Sequence, residues 1–352
     1  MLKNLLALGI GLLLSLVLLE GVLRIFNPFP ARLKGDKIIL PANQVYHYTN
    51  GQTFTINSIG FRGENPGADF TKRYKVFCVG GSTTECSKLT DGQDWPNILS
   101  AFLKKDDPNI WVNNAGLNGH STYGHQILLD DHLQKFKPNL VVFLTGCNDL
   151  GRIELGSWDS LQLKKEQVDW KTKVFEGSEV VSTILNVRRA MMASKFSLGL
   201  YPISIDTLPR IEVSEEQMDS IVELHRPAAM AYRKRLLKLI ASSKAYRIQP
   251  VLCTQPALWG PGIDPVTGID LGTLRVQYTD VNSAAGHWRV MEYYNDQARA
   301  VAAETGVSLI DLAVEMKKSS AFFDDGIHFT PRGSREVAYI VYKGLVPIVK
   351  GH

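Results

Sequence analysis

From residue 74 onward, short apolar runs alternate with longer segments of helical periodicity. Apolar, β-rich runs predict five strands, at 74–79, 110–114, 140–145, 248–254 and 307–312. Helical patterns are predicted at 95–105, 123–136, 216–243, 287–304 and 331–349. The strand runs are continuously apolar rather than alternating, as expected of strands covered on both faces. The pattern therefore predicts an α/β fold, a three-layer α/β/α sandwich around a mostly parallel five-stranded sheet.

Three segments fall outside this alternation. Residues 27–73 are rich in Pro, Gly and polar side chains and are predicted to be a linker and an irregular lead-in to a folded domain over 74–352. Insertions are predicted at about 150–215, which contains Trp158 and Trp170, and at about 259–286. Both follow strand ends, where ligands bind in such sheets. They are expected either to wall a site or to be peripheral packing.

The first 26 residues predict a membrane anchor. The run 5–19 is apolar and uncharged, and only Glu20 interrupts it before Arg24. One helix over 4–23 would be long enough to cross a bilayer core. A cleaved signal peptide is the main alternative, because the run is short and follows Lys3, but no small-x-small cleavage site closely follows it. A buried soluble helix is the third interpretation.

Two arguments give opposite orientations for this single-pass anchor. Lys3 precedes the span, whereas Arg24, Arg32, Lys34 and Lys37 follow it. The positive-inside rule, counted literally, places the following domain in the cytoplasm. Short anchors of this kind usually serve to export the domain behind them. On that ground we predict an extracytoplasmic domain.

Composition excludes few classes of protein. The 352 residues are 45% hydrophobic and 21% charged, which is ordinary for a folded chain. The net charge of +4 is weak, and without a long Lys/Arg block no nucleic-acid partner is expected. The four cysteines are too few to define a disulfide framework. A bridge between Cys86 and Cys147 stays open.

A glycine turn with a serine follows the first predicted strand. In Gly80-Gly81-Ser82, the glycines permit a tight turn and close approach of the backbone to a ligand. The serine would lie near backbone N–H groups that favour negative charge. By itself the motif also suits an ordinary turn or a phosphate-binding loop, although the Lys of a Walker motif is absent.

Three further polar motifs occur at comparable positions. Segment 114–122, which includes Gly119, follows the second strand, and Gly146-Cys-Asn148-Asp149 follows the third. Each of these suits a turn or a helix cap when taken alone. The last motif contains Asp325 and His328 before the final helix, where the carboxylate can reach the ring N–H and fix its tautomer.

Together these motifs resemble the SGNH, or GDSL-type, hydrolase family, named for a Ser, Gly, Asn and His in separate blocks. Ser82, Gly119, Asn148 and His328 occur in that order. The resemblance implies a flavodoxin-like fold and a serine esterase without a cofactor or a metal. The family often has Asp before the Ser, where this chain has Gly81. Segment 57–63 is similar to the lead-in of membrane-anchored members.

The resemblance also implies a role for each residue. Ser82 is the nucleophile and His328 the base that a serine hydroxyl needs. Asp325, rather than Asp324, orients His328, because its spacing of three matches the family's Asp-x-x-His block. The oxyanion donors are the backbone N–H groups of Ser82 and Gly119 and the side-chain amide of Asn148.

Other histidines and the substrate remain less defined. His120, His125 and His132 have no accompanying carboxylate pattern, so no metal site is expected. Asp149 is expected to brace its loop.

The expected substrate is a small-molecule, lipid or carbohydrate ester carrying an acyl or O-acetyl group. The alternatives are an O-acyltransferase acting on a cell-envelope polysaccharide and a non-catalytic protein that kept the fold.

Overall fold

The computed structural model describes residues 2–26, 32–34, 37–47, 51–152, 177–195, 204–278 and 281–350. The chain divides into two compact units. One contains Met1–Pro41 and Gly156–Leu198, and the other contains Ala42–Leu155 and Gly199–His352.

The strands are β1 (Arg32–Lys34), β2 (Lys37–Ile39), β3 (Gln44–His47), β4 (Thr53–Ile56), β5 (Arg62–Gly63), β6 (Tyr74–Gly80), β7 (Ile110–Gly116), β8 (Leu140–Leu144), β9 (Gln249–Cys253), β10 (Arg275–Tyr278), β11 (Val281–Ser283) and β12 (Ser308–Ile310). The helices are α1 (Leu2–Ile25), α2 (Ser82–Glu85), α3 (Trp95–Asp106), α4 (Thr122–Asp131), α5 (Glu179–Lys195), α6 (Glu215–Ala245), α7 (Ala284–Thr305), α8 (Leu312–Glu315) and α9 (Pro331–Val349).

The second unit is built on a mixed eight-stranded sheet, in the order β12-β9-β8-β6-β7-β5-β4-β3. The five predicted strands are all present and pair in parallel, from β12 to β7. The predicted α/β class is therefore confirmed. The predicted count of five strands is wrong, because β5, β4 and β3 extend the sheet in antiparallel fashion beyond β7.

The central strands are apolar on both faces because helices cover both faces. Val76 and Cys78 of β6 belong to the hydrophobic cluster that includes Trp95 of α3. The intervening Phe77 packs on other aromatic rings, stacking on Phe136 at 5.9 Å between centroids. Helices α3 and α9 pack against each other, and α6 packs against α4 and α7. Since successive side chains point to opposite faces, β6 contributes to two helical layers.

The segment before β6 is more structured than the sequence indicates. Its strands span two to four residues each, which is too short to give a clear pattern of alternation. Asn57 organises the turn between β4 and β5, because its side-chain oxygen accepts the backbone N–H groups of Ile59 and Phe61. The residues predicted as an irregular lead-in thus form an edge of the sheet.

Arg62 of β5 is a buried cation, with 2% of its surface exposed. Its guanidinium donates to the carbonyl oxygens of Glu85, Cys86 and Leu89 at 3.0, 2.7 and 2.6 Å. It also forms an ion pair with the fully buried Asp94 at 3.4 Å. Arg62 therefore connects the sheet edge with the end of α2 and with the chain that follows it.

The first unit contains α1, the β1–β2 hairpin and α5. Helix α1 has 24 residues, and the most apolar 18-residue window of its span Lys3–Ile25 has a mean hydropathy of 2.4 with a surface that is not buried. This length and composition suit a bilayer span, and a signal sequence would have the same properties. Glu20 of α1 accepts the backbone N–H groups of Glu179 and Val180 at 2.9 and 3.1 Å.

Replacing Arg62 should destabilise the second unit. The change Arg62→Ala leaves Asp94 buried without its cation, and breaking a buried ion pair typically costs about 3–5 kcal/mol. Urea unfolding measures this loss. The control is Arg73→Ala, which removes an ion pair with the exposed Asp69 and should change the free energy of unfolding very little. Equal free energies of unfolding for the two variants would contradict the role of Arg62.

Candidate active site

The first three polar motifs follow neighbouring strands at one edge of the sheet. Gly80 of β6 is in register with Gly116 of β7 and Leu144 of β8. The chain leaves β6 through Gly81 and enters α2 at Ser82. Because parallel strands end at the same edge, residues that follow these positions lie close together. The fourth motif reaches the same edge from the loop before α9.

Ser82, His328 and Asp325 form a continuous hydrogen-bonded line. His328 Nε2 lies 2.8 Å from Ser82 Oγ, and His328 Nδ1 lies 2.6 Å from Asp325 Oδ2. The serine is 7% exposed and Asp325 is 4% exposed, whereas the imidazole is partly accessible. The structure thus brings together the three residues predicted to be catalytic.

The carboxylate of Asp325 is held in an orientation that fixes the imidazole. Its Oδ1 accepts the backbone N–H groups of Ile327 and His328 at 2.9 and 2.8 Å. Burial by itself would raise the pKa of Asp325, but the hydrogen bonds from His328 and these backbone groups hold that pKa below its ordinary value. An ionised Asp325 places the proton on Nδ1, so Nε2 is the ring nitrogen that can accept a hydrogen bond from the Ser82 hydroxyl.

Asp324 has a different environment. Its backbone N–H donates to the carbonyl oxygen of His328 at 2.9 Å, which closes the loop. Burial raises the pKa of its carboxyl, and the neighbouring Asp325 raises it further, while Lys88 opposes this effect. The ring contact belongs to Asp325, as the spacing of three residues predicts.

Asn148 lies directly beside the turn that carries the serine. Its Nδ2 donates to the carbonyl oxygen of His120 at 3.0 Å. A Cβ atom added at Gly81 would lie 2.1 Å from this Nδ2. The side-chain amide therefore occupies the space that a side chain at position 81 needs. This contact gives a physical reason for Gly81 in a position where the family often has Asp.

Gly119 lies on the loop after β7, next to these residues in the fold. Its φ of +74° is in the left-handed region that favours glycine. The loop is bonded to β6, because Leu117 donates its N–H to the carbonyl oxygen of Gly80 at 3.0 Å. His120 then donates to the carbonyl oxygen of Leu117 at 3.1 Å and completes a turn around Gly119.

Asp149 braces the loop that carries Asn148. It is fully buried and accepts from the backbone and hydroxyl of Thr122 at 3.1 and 2.5 Å. Arg235 of α6 donates to the same carboxylate at 3.1 Å and lies 4.3 Å above the ring of Tyr123. The bracing role expected of Asp149 is present. The sequence did not indicate Arg235, because a cation within a long helix usually faces solvent.

Glu85, on α2 with Ser82, is a buried acid that the sequence did not indicate. It is 6% exposed, and burial raises its pKa to about 7. Arg62 and a hydrogen bond from the backbone of Asn118 act in the opposite direction. Glu85 therefore connects α2 with the loop that carries Gly119.

The cysteines and histidines near this edge form neither a bridge nor a metal cluster. All four cysteines are free thiols, so Cys86 and Cys147 are not joined. Burial raises the pKa of Cys147 to about 12, which keeps it a neutral thiol. His125 is buried as well, and burial lowers its pKa to about 4. The part of the chain that the structure describes holds no group of three or more His, Cys, Asp or Glu placed to bind a metal.

The two insertions differ in how far the structure describes them. Residues 153–176, with Trp158 and Trp170, and residues 196–203 lie outside the described residues. The second insertion begins at Trp259, which is fully buried. A Cβ atom at Gly326 would lie 2.1 Å from its Nε1, and Leu258 donates to the carbonyl oxygen of Gly326 at 2.8 Å. This insertion therefore supports the loop next to Asp325.

The sequence matches the model of the GDSL-like lipase/acylhydrolase family over residues 78–336. The chain belongs to this family. It is therefore a hydrolase that acts on ester bonds. The matched range extends from β6 into α9 and includes every residue of the candidate site.

Solved structures of this family are distant in sequence. An acetyl xylan esterase, AlAXEase, is 15% identical with a TM-score of 0.45, and the match covers 77% of this chain and 100% of that chain. An acetylxylan esterase from Geobacillus stearothermophilus is 14% identical with a TM-score of 0.44, covering 78% of this chain and 94% of its own. No curated protein matches the sequence. These similarities are too distant to indicate a substrate.

Glu85 should give the second unit a distinctive pH dependence. Its pKa is about 7 when folded, against an ordinary value of 4.5. The protonated carboxyl contributes its full stabilisation of the folded state below the ordinary pKa of 4.5. This contribution is lost as pH rises through the folded pKa of about 7. A shift of this size corresponds to about 3 kcal/mol. Glu85→Gln removes this titration. The free energy of unfolding of the variant minus that of the wild type should therefore increase by about that amount between about pH 4 and pH 8.

Urea unfolding across this pH range measures the difference. Glu216→Gln is the matched control, because Glu216 is exposed at the start of α6. A constant difference between Glu85→Gln and the wild type at every pH would contradict a raised pKa for Glu85.

Proposed function

We propose that this family member is a serine esterase in which Ser82 is the nucleophile, His328 the general base and Asp325 the residue that orients the base. The hydrogen-bonded line from Ser82 Oγ through the imidazole to Asp325 carries this proposal, with separations of 2.8 and 2.6 Å. A serine hydroxyl attacks an ester only when a base takes its proton, and His328 Nε2 is within reach of that proton.

The reaction proceeds through an acyl-enzyme. Ser82 Oγ attacks the ester carbonyl carbon while His328 Nε2 takes the hydroxyl proton. The tetrahedral intermediate collapses, and the alcohol leaves with the proton that His328 returns. His328 then takes a proton from a water that attacks the acyl carbon. The bond between this carbon and Ser82 Oγ breaks, His328 returns the proton to Oγ, and the carboxylic acid is released. Asp325 stays ionised throughout and stabilises the imidazolium.

We assign the oxyanion donors to the backbone N–H groups of Ser82 and Gly119 and to the side-chain amide of Asn148. An amide NH₂ group has two hydrogens, and the hydrogen bond from Asn148 to His120 uses one of them. The other is free to donate to the negative oxygen of the intermediate. The close approach of Asn148 to Gly81 supports this assignment, because Gly81 directly precedes the nucleophile.

The proposed substrate is a carboxylic ester that carries an acyl or O-acetyl group on a lipid or a carbohydrate. The same acyl-enzyme can pass its group to a polysaccharide hydroxyl instead of water. The described residues contain no feature that favours this second acceptor, so hydrolysis is the function proposed.

We further propose that α1 is a retained single-pass anchor and that the catalytic unit is extracytoplasmic. The apolar surface of α1 supports a membrane span. Retention is supported by Glu20, whose carboxylate also accepts the hydroxyl of Ser178 at 2.9 Å. These bonds connect α1 to a later helix of the mature chain, a role that a cleaved leader would not have.

Removing the nucleophile should abolish ester hydrolysis. With nitrophenyl esters of increasing acyl length and with acetylated sugars, Ser82→Ala should lower kcat by at least about 10³-fold on any ester that the wild type cleaves. Ser87→Ala is the matched control and should retain activity. Full activity of Ser82→Ala would contradict the proposal. Product analysis with and without a sugar acceptor distinguishes release of the acid from transfer of the acyl group.

Removing the side-chain amide at 148 should impair turnover without unfolding the protein. Loss of one oxyanion donor typically costs about 100- to 1000-fold in kcat. Asn148→Ala should show this loss with only a small decrease in melting temperature, from the lost hydrogen bond to His120, whereas Asn118→Ala, which removes an exposed side chain of the Gly119 loop, should be nearly neutral. Wild-type turnover by Asn148→Ala would refute the oxyanion assignment.

A further inference from the structure

Helix α5 in the first unit has an inverted distribution of polar and apolar side chains. Its buried positions are Glu179, Ser182 and Asn186, at 5, 4 and 8% exposure. These positions recur at helical spacing and therefore form one face. Ile184 and Met191, on the opposite face, are 61 and 67% exposed. The polar face is thus packed inward and the apolar face is left uncovered.

The buried polar groups have partners within the first unit. Glu179 accepts from Lys34 at 2.7 Å, and Asn186 donates to the carbonyl oxygen of Ser182 at 2.7 Å. A helix on the surface of a water-soluble protein normally buries its apolar face, because exposing apolar area to water is unfavourable. The named buried polar residues therefore have partners, and an apolar environment would stabilise the outward face.

The position of α5 relative to α1 identifies that environment. Glu20 accepts the N–H groups of Glu179 and Val180, so the start of α5 lies beside Glu20 near the carboxyl end of α1. A helix of this length spans a bilayer core from one boundary to the other. Glu20 then lies close to one boundary, and α5 begins at the same depth.

We infer that α5 is an interfacial membrane helix, whose face of Ile184, Val187 and Met191 is inserted among lipid chains. This inference rests on the proposed membrane-spanning role of α1. Val187 is 44% exposed and extends the uncovered face. Arg188 is exposed on the same helix, where a long basic side chain can reach lipid phosphates. Lipid is preferred to a protein partner because α5 begins beside the end of the membrane span.

Fluorescence quenching in vesicles tests the inference on the full-length protein. An environment-sensitive fluorophore is attached to an introduced cysteine in Ile184→Cys or Met191→Cys, and the protein is reconstituted with lipids brominated at shallow or deep chain positions. Leu12→Cys reports on the span, and Leu224→Cys, at a 65% exposed position in the second unit, is the matched control. The native cysteines are buried or half-buried, and the unsubstituted protein measures their background labelling.

The two proposals predict different patterns of quenching. If both hold, shallow bromines quench the labels at 184 and 191, deep bromines quench the label at 12, and the label at 224 is not quenched. Quenching at 12 without quenching at 184 and 191 overturns the inference for α5 and leaves the anchor intact. The same pattern is expected if a second copy of the chain or another protein covers this face of α5. Absence of quenching at 12 refutes the span, and the inference fails with it.

Discussion

The hydrogen bond between Ser82 Oγ and His328 Nε2 joins residues that are 246 positions apart in the sequence. The serine hydroxyl becomes an effective nucleophile only if the imidazole nitrogen stays within hydrogen-bond reach of it. The register of the sheet places Ser82, because it aligns the ends of β6, β7 and β8. The loop before α9 places the imidazole, since Asp325 binds both the ring and the backbone of His328.

Buried charges hold the loops around this bond. Arg62 binds three carbonyl groups at and after the end of α2, and Arg235 binds Asp149 behind the loop of Asn148. Buried ionic groups contribute little net stability, because desolvation offsets their attraction, but they tolerate few alternative arrangements. We interpret both arginines as residues that position the site.

The sequence predicted the parts of the molecule that depend on local pattern. Continuous apolar runs identified the five parallel strands, and the spacing of Asp325 and His328 predicted their contact. The short strands β3–β5 gave no pattern, since each spans at most four residues and they join the sheet only where β5 pairs with the distant β7. The partners of Arg62, Arg235 and Glu85 are distant in the chain, and no local signal reveals them. Gly81 departed from the family pattern, and only the position of Asn148 explains it.

Reaction with a fluorophosphonate, followed by peptide mass mapping, tests the central hydrogen bond most directly. The reagent modifies a serine that a neighbouring base has activated. We expect one adduct, on the peptide that contains Ser82, and a rate of modification at least about 100-fold lower in His328→Ala. An unchanged rate in that variant, or an adduct on a different serine, would show that His328 does not activate Ser82.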